Sequence, residues 1–389
     1  MQLFEQLLKR NKDYILSKEI TRNYNVFLKK IVNSINKEKI IIISGMKYIG
    51  KTEVISDFIK KTKIEDRFFY FNKDLDNQNI IKNNINLENL LNIQVNYNKN
   101  TRYIILQNIS HIEGIKDFLS KIHKENYKII IIGNDIKIPN ITEIEIKNVI
   151  SENIKNDTLY GNIGNLSNLT TTKIKENYIS LIKDSIILNK IVGLKLVKNV
   201  FLYNYMLTKI AEIDYFLTQR ELHRIVEDNS SVALKTFMDY IEFSLQEKII
   251  YKIELYDLKK EKVINNRNKY YFCDNGIKNS YGNFMLDKNK LIENLVFIQL
   301  NYNDFSIFGG LNGLFEFSFI AKKSDKTIYI HICKETEKSE IKKEINKLLK
   351  VPGENKRYLV LEDLENLGVK KTIYGNLEIV SAEELIKKI

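Results

Sequence analysis

The sequence predicts an α/β chain whose first half is a doubly wound parallel sheet, followed by a helical segment and a smaller α/β unit. Three observations carry that expectation. Four short all-apolar runs recur at 40–43, 68–71, 103–106 and 129–132. Segments long enough for crossover helices separate them, as at 52–63 and 115–125. A glycine-rich loop stands between the first run and the helix that follows it.

The runs read Ile40-Ile41-Ile42-Ile43, Phe68-Phe69-Tyr70-Phe71, Tyr103-Ile104-Ile105-Leu106 and Ile129-Ile130-Ile131-Ile132. Each is rich in β-branched or aromatic residues and bounded by charge, Gly or Asn. Helices on both faces of a parallel sheet leave its strands no polar side, so the strands read as continuous apolar runs. Alternation with helical segments marks crossover units. A weaker fifth strand is expected at 142–147, after the turn at Pro139.

Residues 151–176 change character: the stretch 161–172 is rich in turn formers, poor in periodicity, and reads as a linker. From 177 to 248 the period is helical, with one helix near 194–212. A second opens at Thr218, where Thr218-Gln219-Arg220-Glu221 fits a capping box. Asp228-Asn229 makes a turn, and Ser230 or Ser231 caps a third helix that runs to Lys248. Strands at 249–256 and 269–273, separated by a charged loop, complete the outline of a winged helix. After Asp274-Asn275-Gly276 come a helix containing 291–298, strands at 314–320 and 327–332, a charged helix at 338–349 and strands at 358–361 and 377–380.

Composition excludes several classes. Hydrophobic residues make up 44% of the 389, which is enough for cores and excludes a disordered chain. Two Cys and four His exclude a disulfide framework and a Cys/His zinc cluster, and they fit a reducing compartment. No apolar run approaches the roughly 18 residues of a membrane span, and Met1 opens a charged amphipathic stretch rather than a signal peptide. The expected setting is the cytoplasm, without a membrane partner. Lys and Arg number 61 against 49 Asp and Glu, a net +12 that admits nucleic acid as a partner. The Ile, Asn and Lys richness that AT-rich coding produces accounts for part of that excess.

The strongest chemical signal is Gly45-Met46-Lys47-Tyr48-Ile49-Gly50-Lys51-Thr52. It fits G-x4-G-K-[ST], with a buried-type strand before it and a helix after it, as a phosphate loop requires. The glycines allow a tight turn of N–H groups facing a phosphate. Lys51 places a cation against the β- and γ-phosphates, and the Thr52 hydroxyl ligates Mg²⁺. Glu53 follows in the first turn of the helix. The expected ligands are therefore ATP or ADP with Mg²⁺.

The partner motif departs from the usual pattern. Phosphate-loop ATPases end a second buried strand with an Asp, often Asp-Glu, to support Mg²⁺ and activate water. Here the strand 103–106 ends in Gln107-Asn108. A neutral amide holds a metal-bound water but neither neutralises a dication nor takes a proton. Glu113, the acid shortly downstream, lies past the strand. At the end of the next strand, Gly133-Asn134-Asp135 places Asn134 where a polar residue senses the γ-phosphate; a simple turn reads the same way.

Together these motifs resemble bacterial and archaeal P-loop ATPases of the AAA+ type with a C-terminal domain of unknown function. The later segments Lys269-Tyr270-Tyr271-Phe272-Cys273-Asp274-Asn275-Gly276-Ile277 and Leu291-Ile292-Glu293-Asn294-Leu295-Val296-Phe297-Ile298-Gln299-Leu300 resemble K-Y-Y-F-x-D-x-G-[IL] and L-x-E-N-x-V-[FY]-x-E-L of that family. The resemblance implies a P-loop domain over 1–150, a linker over 151–176, a helical winged-helix domain over 177–280 and a restriction-endonuclease-like unit over 281–389. It also implies catalytic groups that this chain lacks. Ser318 stands where the nuclease fold carries an Asp, and Lys334 is out of alternation with His331, while Glu293 and Glu316 remain. The family's transition-state arginine after the fourth strand has no counterpart in 136–148.

The functional expectation is an ATP-binding switch with weak or no hydrolysis and no nuclease activity. Two alternatives stay open: an active ATPase with a substitute base, and a non-enzymatic DNA-binding or scaffold protein. In a winged helix the segment 231–248 would offer Lys235 and Thr236 to DNA, but also Asp239 and Glu242, which repel phosphates. Lys259, Lys260, Lys262 and Arg267 would touch backbone without reading bases. Weak, sequence-independent, salt-sensitive DNA binding is the expectation there. A protein partner or a homo-oligomer is the other partner class.

Overall fold

The computed structural model describes residues 2–389 apart from positions 21, 135, 137, 165, 188–196, 198, 228–231, 325, 363 and 365–371. The chain divides into two compact units, Met1–Ile146 and Lys147–Ile389.

The first unit opens with helices α1 (Gln2–Leu16) and α2 (Asn25–Lys37). There follow β1 (Ile40–Ser44), α3 (Lys51–Lys61), β2 (Phe68–Asn72), α4 (Asn84–Tyr97), β3 (Tyr103–Gln107), α5 (Ile115–Lys124), β4 (Lys128–Ile132) and β5 (Thr142–Glu145). The five strands form one sheet in the order β2-β3-β4-β1-β5, and every neighbouring pair is parallel. The apolar runs are its strands. Ile41, Ile43, Phe71, Ile104, Ile105, Leu106, Ile129, Ile130 and Ile131 are fully buried, each such side chain contributing about 1.5–3 kcal/mol by leaving water. The fifth strand is the expected one, shorter by two residues.

Unpredicted α1 sets the end of β2. Its buried Asn11 bonds its own turn through Leu7 O (2.9 Å) and accepts the Asn72 N–H (2.8 Å). The chain leaving β2 at the carboxyl edge of the sheet therefore has a fixed position. Register places Asn72 opposite Gln107 there.

The second unit contains α6 (Ile154–Tyr160), α7 (Thr172–Ile186), α8 (Val200–Glu212), α9 (Gln219–Glu227), α10 (Leu234–Gln246), β6 (Ile250–Asp257), β7 (Lys262–Phe272), α11 (Asn275–Tyr281) and α12 (Lys288–Tyr302). It continues with β8 (Ser306–Asn312), β9 (Phe315–Lys323), β10 (Lys326–Ile332), α13 (Lys338–Leu349), β11 (Lys356–Leu361), β12 (Ile373–Tyr374), β13 (Leu377–Ser381) and α14 (Ala382–Lys388). Its eight strands form one sheet in the order β12-β13-β11-β10-β9-β8-β6-β7.

The sequence expectation for this half is met in part. The segment 151–176 holds α6, which Asn153 caps by accepting the Asn156 N–H at 3.1 Å. With seven residues it is too short to show a period. Thr218 and Glu221 do close a capping box (2.6 and 3.2 Å). The expected cap at Ser230 or Ser231, with the turn at Asp228-Asn229, lies outside the described residues; α10 starts at Leu234 after Ala233. The start of the 194–212 helix lies partly outside them too, and α8 begins after Asn199, whose side chain accepts the Leu202 N–H.

The charged loop between the two expected ribbon strands is largely strand: β7 begins at Lys262. It is the edge of the sheet, where polar residues face water and blunt further pairing. The ribbon does not stand apart, because β6 pairs in parallel with β8. β8 itself was not expected. Its Gly309-Gly310 step is a poor strand former, and the rings of Phe216 and Phe317 occupy the space where Cβ atoms would be. Among the described residues, no helix is long and apolar enough to cross a membrane.

Candidate functional site

The loop between β1 and α3 is shaped by two glycines. Gly45 has φ +131°, and a Cβ there would lie 2.5 Å from the Ile146 carbonyl oxygen. Gly50, at the N-cap of α3, has φ +109°, and a Cβ would lie 1.7 Å from the Tyr24 hydroxyl. Met46 and Ile49 are buried, whereas Tyr48 is exposed with φ 66° and has Lys47 Nζ 5.2 Å from its ring centre. The Lys51 ammonium donates to the carbonyls of Gly45 and Met46, the latter at 2.9 Å, and so lies within its own loop. Asn134, leaving β4, accepts the Gly45 N–H at 2.9 Å.

Two residues that sequence reasoning missed brace this loop. The Tyr24 hydroxyl donates to Ile49 O (3.1 Å), and Arg22 Nη1 donates to the same carbonyl (3.1 Å) and to the Tyr24 hydroxyl (3.2 Å). Burial pushes the Tyr24 phenol up to about 12; Arg22 pulls against that rise and the Glu53 charge adds to it. No local pattern announces Arg22 and Tyr24. They lie before α2 and reach the loop only through packing.

Gln107 is where an acid was expected. It is buried at the end of β3, with Thr52 Oγ1 3.4 Å from its Oε1 and 3.3 Å from its Nε2. Tyr70, from β2, donates its hydroxyl to the same Oε1 at 2.7 Å. Burial raises the Tyr70 phenol well above its ordinary range, so it remains a donor. The structure thus brings the Thr52 hydroxyl and the Gln107 amide together, two neutral groups with oxygen lone pairs. Asn108 turns away with φ 56°, and its amide donates to Asp74 Oδ2 at 2.8 Å. Asp74, an exposed carboxylate in the 3₁₀ turn Lys73–Leu75 after β2, is a third residue that local pattern does not reveal. Glu113 is held elsewhere: its backbone pairs with Lys82 and Asn84.

Oxygen donors suit a hard cation such as Mg²⁺, but Thr52 and Gln107 bring it no charge. They fit an ion that arrives with the phosphates of a nucleotide. Among the described residues, no group of three or more His, Cys, Asp or Glu is placed to hold a metal.

In the second unit the remaining acids have their own partners. Glu293 is buried and accepts from Lys269 Nζ (2.6 Å) and the Tyr271 hydroxyl (2.7 Å). Burial raises its carboxyl, and Lys269 with these bonds outweighs that and lowers it. Glu316 faces Arg267 at 3.7 Å. Ser318 Oγ accepts the Ile332 N–H at 3.1 Å, and Lys334 pairs with Asp214 at 2.6 Å. His331 lies 3.2 Å from Glu344, whose carboxyl is lowered to about 2, first by the His331 hydrogen bond. Glu316, His331, Lys334 and Glu344 line a cleft of about 720 Å³.

Residues 37–140 match the family described as AAA domain. An uncharacterized protein of Haemophilus influenzae is 21% identical over 368 residues, spanning 86% of this chain and 92% of its own. One of Methanocaldococcus jannaschii is 21% identical over 417 residues, spanning 96% and 89%. Among solved structures, the Walker-type ATPase of Pyrococcus abyssi aligns with a TM-score of 0.48 and 11% identity, over 69% of this chain and 99% of its own. A DNA replication initiation factor aligns with a TM-score of 0.28 and 17% identity, over 61% and 83%. The matched residues lie within the first unit and include the loop 45–52.

Proposed function

We propose that this protein binds ATP or ADP with Mg²⁺ at residues 45–52 and hydrolyses ATP slowly, serving as a nucleotide-responsive switch. The observation that carries this reading is the neutral amide of Gln107 beside Thr52. The loop supplies backbone donors, the Lys51 cation and the N-terminus of α3 for phosphates. Mg²⁺ bound with the nucleotide neutralises phosphate oxygens; Thr52 contributes one ligand and Gln107 orients it or a bound water. Asn134 ties the end of β4 to Gly45 and so couples the sensor position to the loop. A slow site holds its nucleotide long enough for the bound state to be read, which suits a switch better than a motor. Isothermal titration with ATP and ADP, with and without Mg²⁺, tests the reading: binding in the wild type and its loss in Lys51→Ala are expected.

The second unit is proposed to be a nuclease-like fold without nuclease chemistry, since Ser318 and Lys334 are engaged in structural bonds. Its sequence-independent contact with DNA is a second reading. Exposed Lys259, Lys260 and Lys262 at the β6–β7 turn favour it, and exposed Asp239 and Glu242 on α10 oppose it. Gel shifts at low and moderate salt separate the cases: weak binding that salt abolishes is expected, and tight sequence-selective binding at physiological salt contradicts the proposal. The reducing cytoplasm is the compartment proposed, in keeping with two buried free cysteines.

A further inference from the structure

We infer that Asp74 is the catalytic carboxylate of the residual ATP hydrolysis, acting from the end of β2 in place of the acid missing from β3. The inference rests on ATP binding at residues 45–52. Ligands of open parallel sheets bind at the carboxyl edge of the strands, and Asn72 and Gln107 stand side by side on that edge. Asn72 holds the turn that follows: its side chain accepts the Asp74 N–H at 3.1 Å, while its own N–H is fixed on Asn11.

Asn108 occupies the position where a water-activating acid follows the metal-supporting one. Its left-handed backbone (φ 56°) is held by its N–H on Ile132 O at 3.1 Å. From there its side-chain amide reaches Asp74 Oδ2 at 2.8 Å and Asn72 Oδ1 at 3.5 Å. An exposed carboxylate therefore stands one hydrogen bond from the place of the absent base, with Asn108 as its fixed donor. Lys73, its neighbour in the chain, pairs with Asp76 at 2.7 Å instead.

In the step assigned to it, Asp74 accepts a proton from water while the water oxygen forms a bond to the γ-phosphorus. The bond from that phosphorus to the β–γ bridging oxygen breaks, its electron pair leaving with ADP. Inorganic phosphate is the second product, and Asp74 releases its proton to solvent. The neutral Gln107 keeps the reaction slow even with this base in place.

Single-turnover hydrolysis and nucleotide titration of wild type, Asp74→Asn, Lys51→Ala and the exchanged pair Asp74→Asn/Asn108→Asp test the assignment. Asp74→Asn should bind ATP as the wild type does and hydrolyse it about 10²-fold more slowly, the lower end of what a positioned base contributes. The exchanged pair should regain turnover, because it restores the carboxylate–amide contact with the roles reversed. Turnover unchanged by Asp74→Asn, wild-type turnover no higher than that of Lys51→Ala, or no recovery in the exchanged pair overturns the inference while nucleotide binding stands. Absence of nucleotide binding in the wild type overturns both.

Discussion

Thr52 and Gln107 are 55 positions apart in the chain, and their side-chain oxygens lie 3.4 Å apart. The helix that follows the loop 45–52 and the strand two places from β1 in the sheet thus deliver their polar ends to one point. A carboxylate at that point would hold a dication by charge. The amide offers only a lone pair, and Tyr70 already occupies part of that oxygen's capacity.

Replacing Gln107 by Asp should therefore make ATP affinity more Mg²⁺-dependent. The gain expected is about tenfold, ~1.4 kcal/mol, the scale of one screened charge interaction. Turnover should rise with it. Titrations of wild type and Gln107→Asp with and without Mg²⁺ measure the ratio; an unchanged ratio would mean that residue 107 does not face the metal.

The brace on the loop predicts an order of severity. Tyr24→Phe removes one hydrogen bond to Ile49 O and leaves Arg22 on the same carbonyl, so stability should fall by only about 1 kcal/mol. Gly50→Ala meets both the Tyr24 ring and a φ of +109°, a strain of order 1–3 kcal/mol on top of the clash. It should abolish nucleotide binding, and adding Tyr24→Phe should not restore it, because the backbone conformation is unchanged. Thermal unfolding and nucleotide titration of the three variants give the order.

A pH effect is expected from the second unit. Asp157 is 1% exposed and accepts the Ser151 N–H. Burial pushes its carboxyl up from 3.8 to about 6, Ser151 opposing and the Asp274 charge adding to the rise. Between those values the folded state holds the proton that the unfolded state has lost. Its contribution to stability is complete below about pH 3.8 and lost as pH rises through about 6. Asp157→Asn, which still accepts from Ser151, removes that dependence. The stability of the variant relative to wild type should rise between pH 4 and pH 7, read from denaturation midpoints at each pH. A constant difference would place the titration elsewhere.

How much of this was legible in the sequence depends on how far each feature is local. The four apolar runs and the loop 45–52 are local, and the structure places all of them as expected. The Thr218–Glu221 capping box is local as well. Gln107 and Asn108 could be identified as departures from a motif, but Tyr70, Asp74, Arg22 and Tyr24 could not be joined to them. Strand order alone puts β2 beside β3, and packing alone brings the segment before α2 onto the loop. Helix α6 was hidden by its length and β8 by its glycine pair. The first half of β7 was hidden by the polarity that suits an edge strand.

The proposed function requires that Lys51 meet a bound nucleotide. Isothermal titration of ATP into wild type and Lys51→Ala, with Mg²⁺ present, measures that directly. Saturable binding at one site per chain in the wild type, weakened at least about tenfold by the substitution, is the predicted result, since Lys51 is the charged group of the loop aimed at the phosphates. Equal affinity in the two proteins, or no binding in either, would contradict the account.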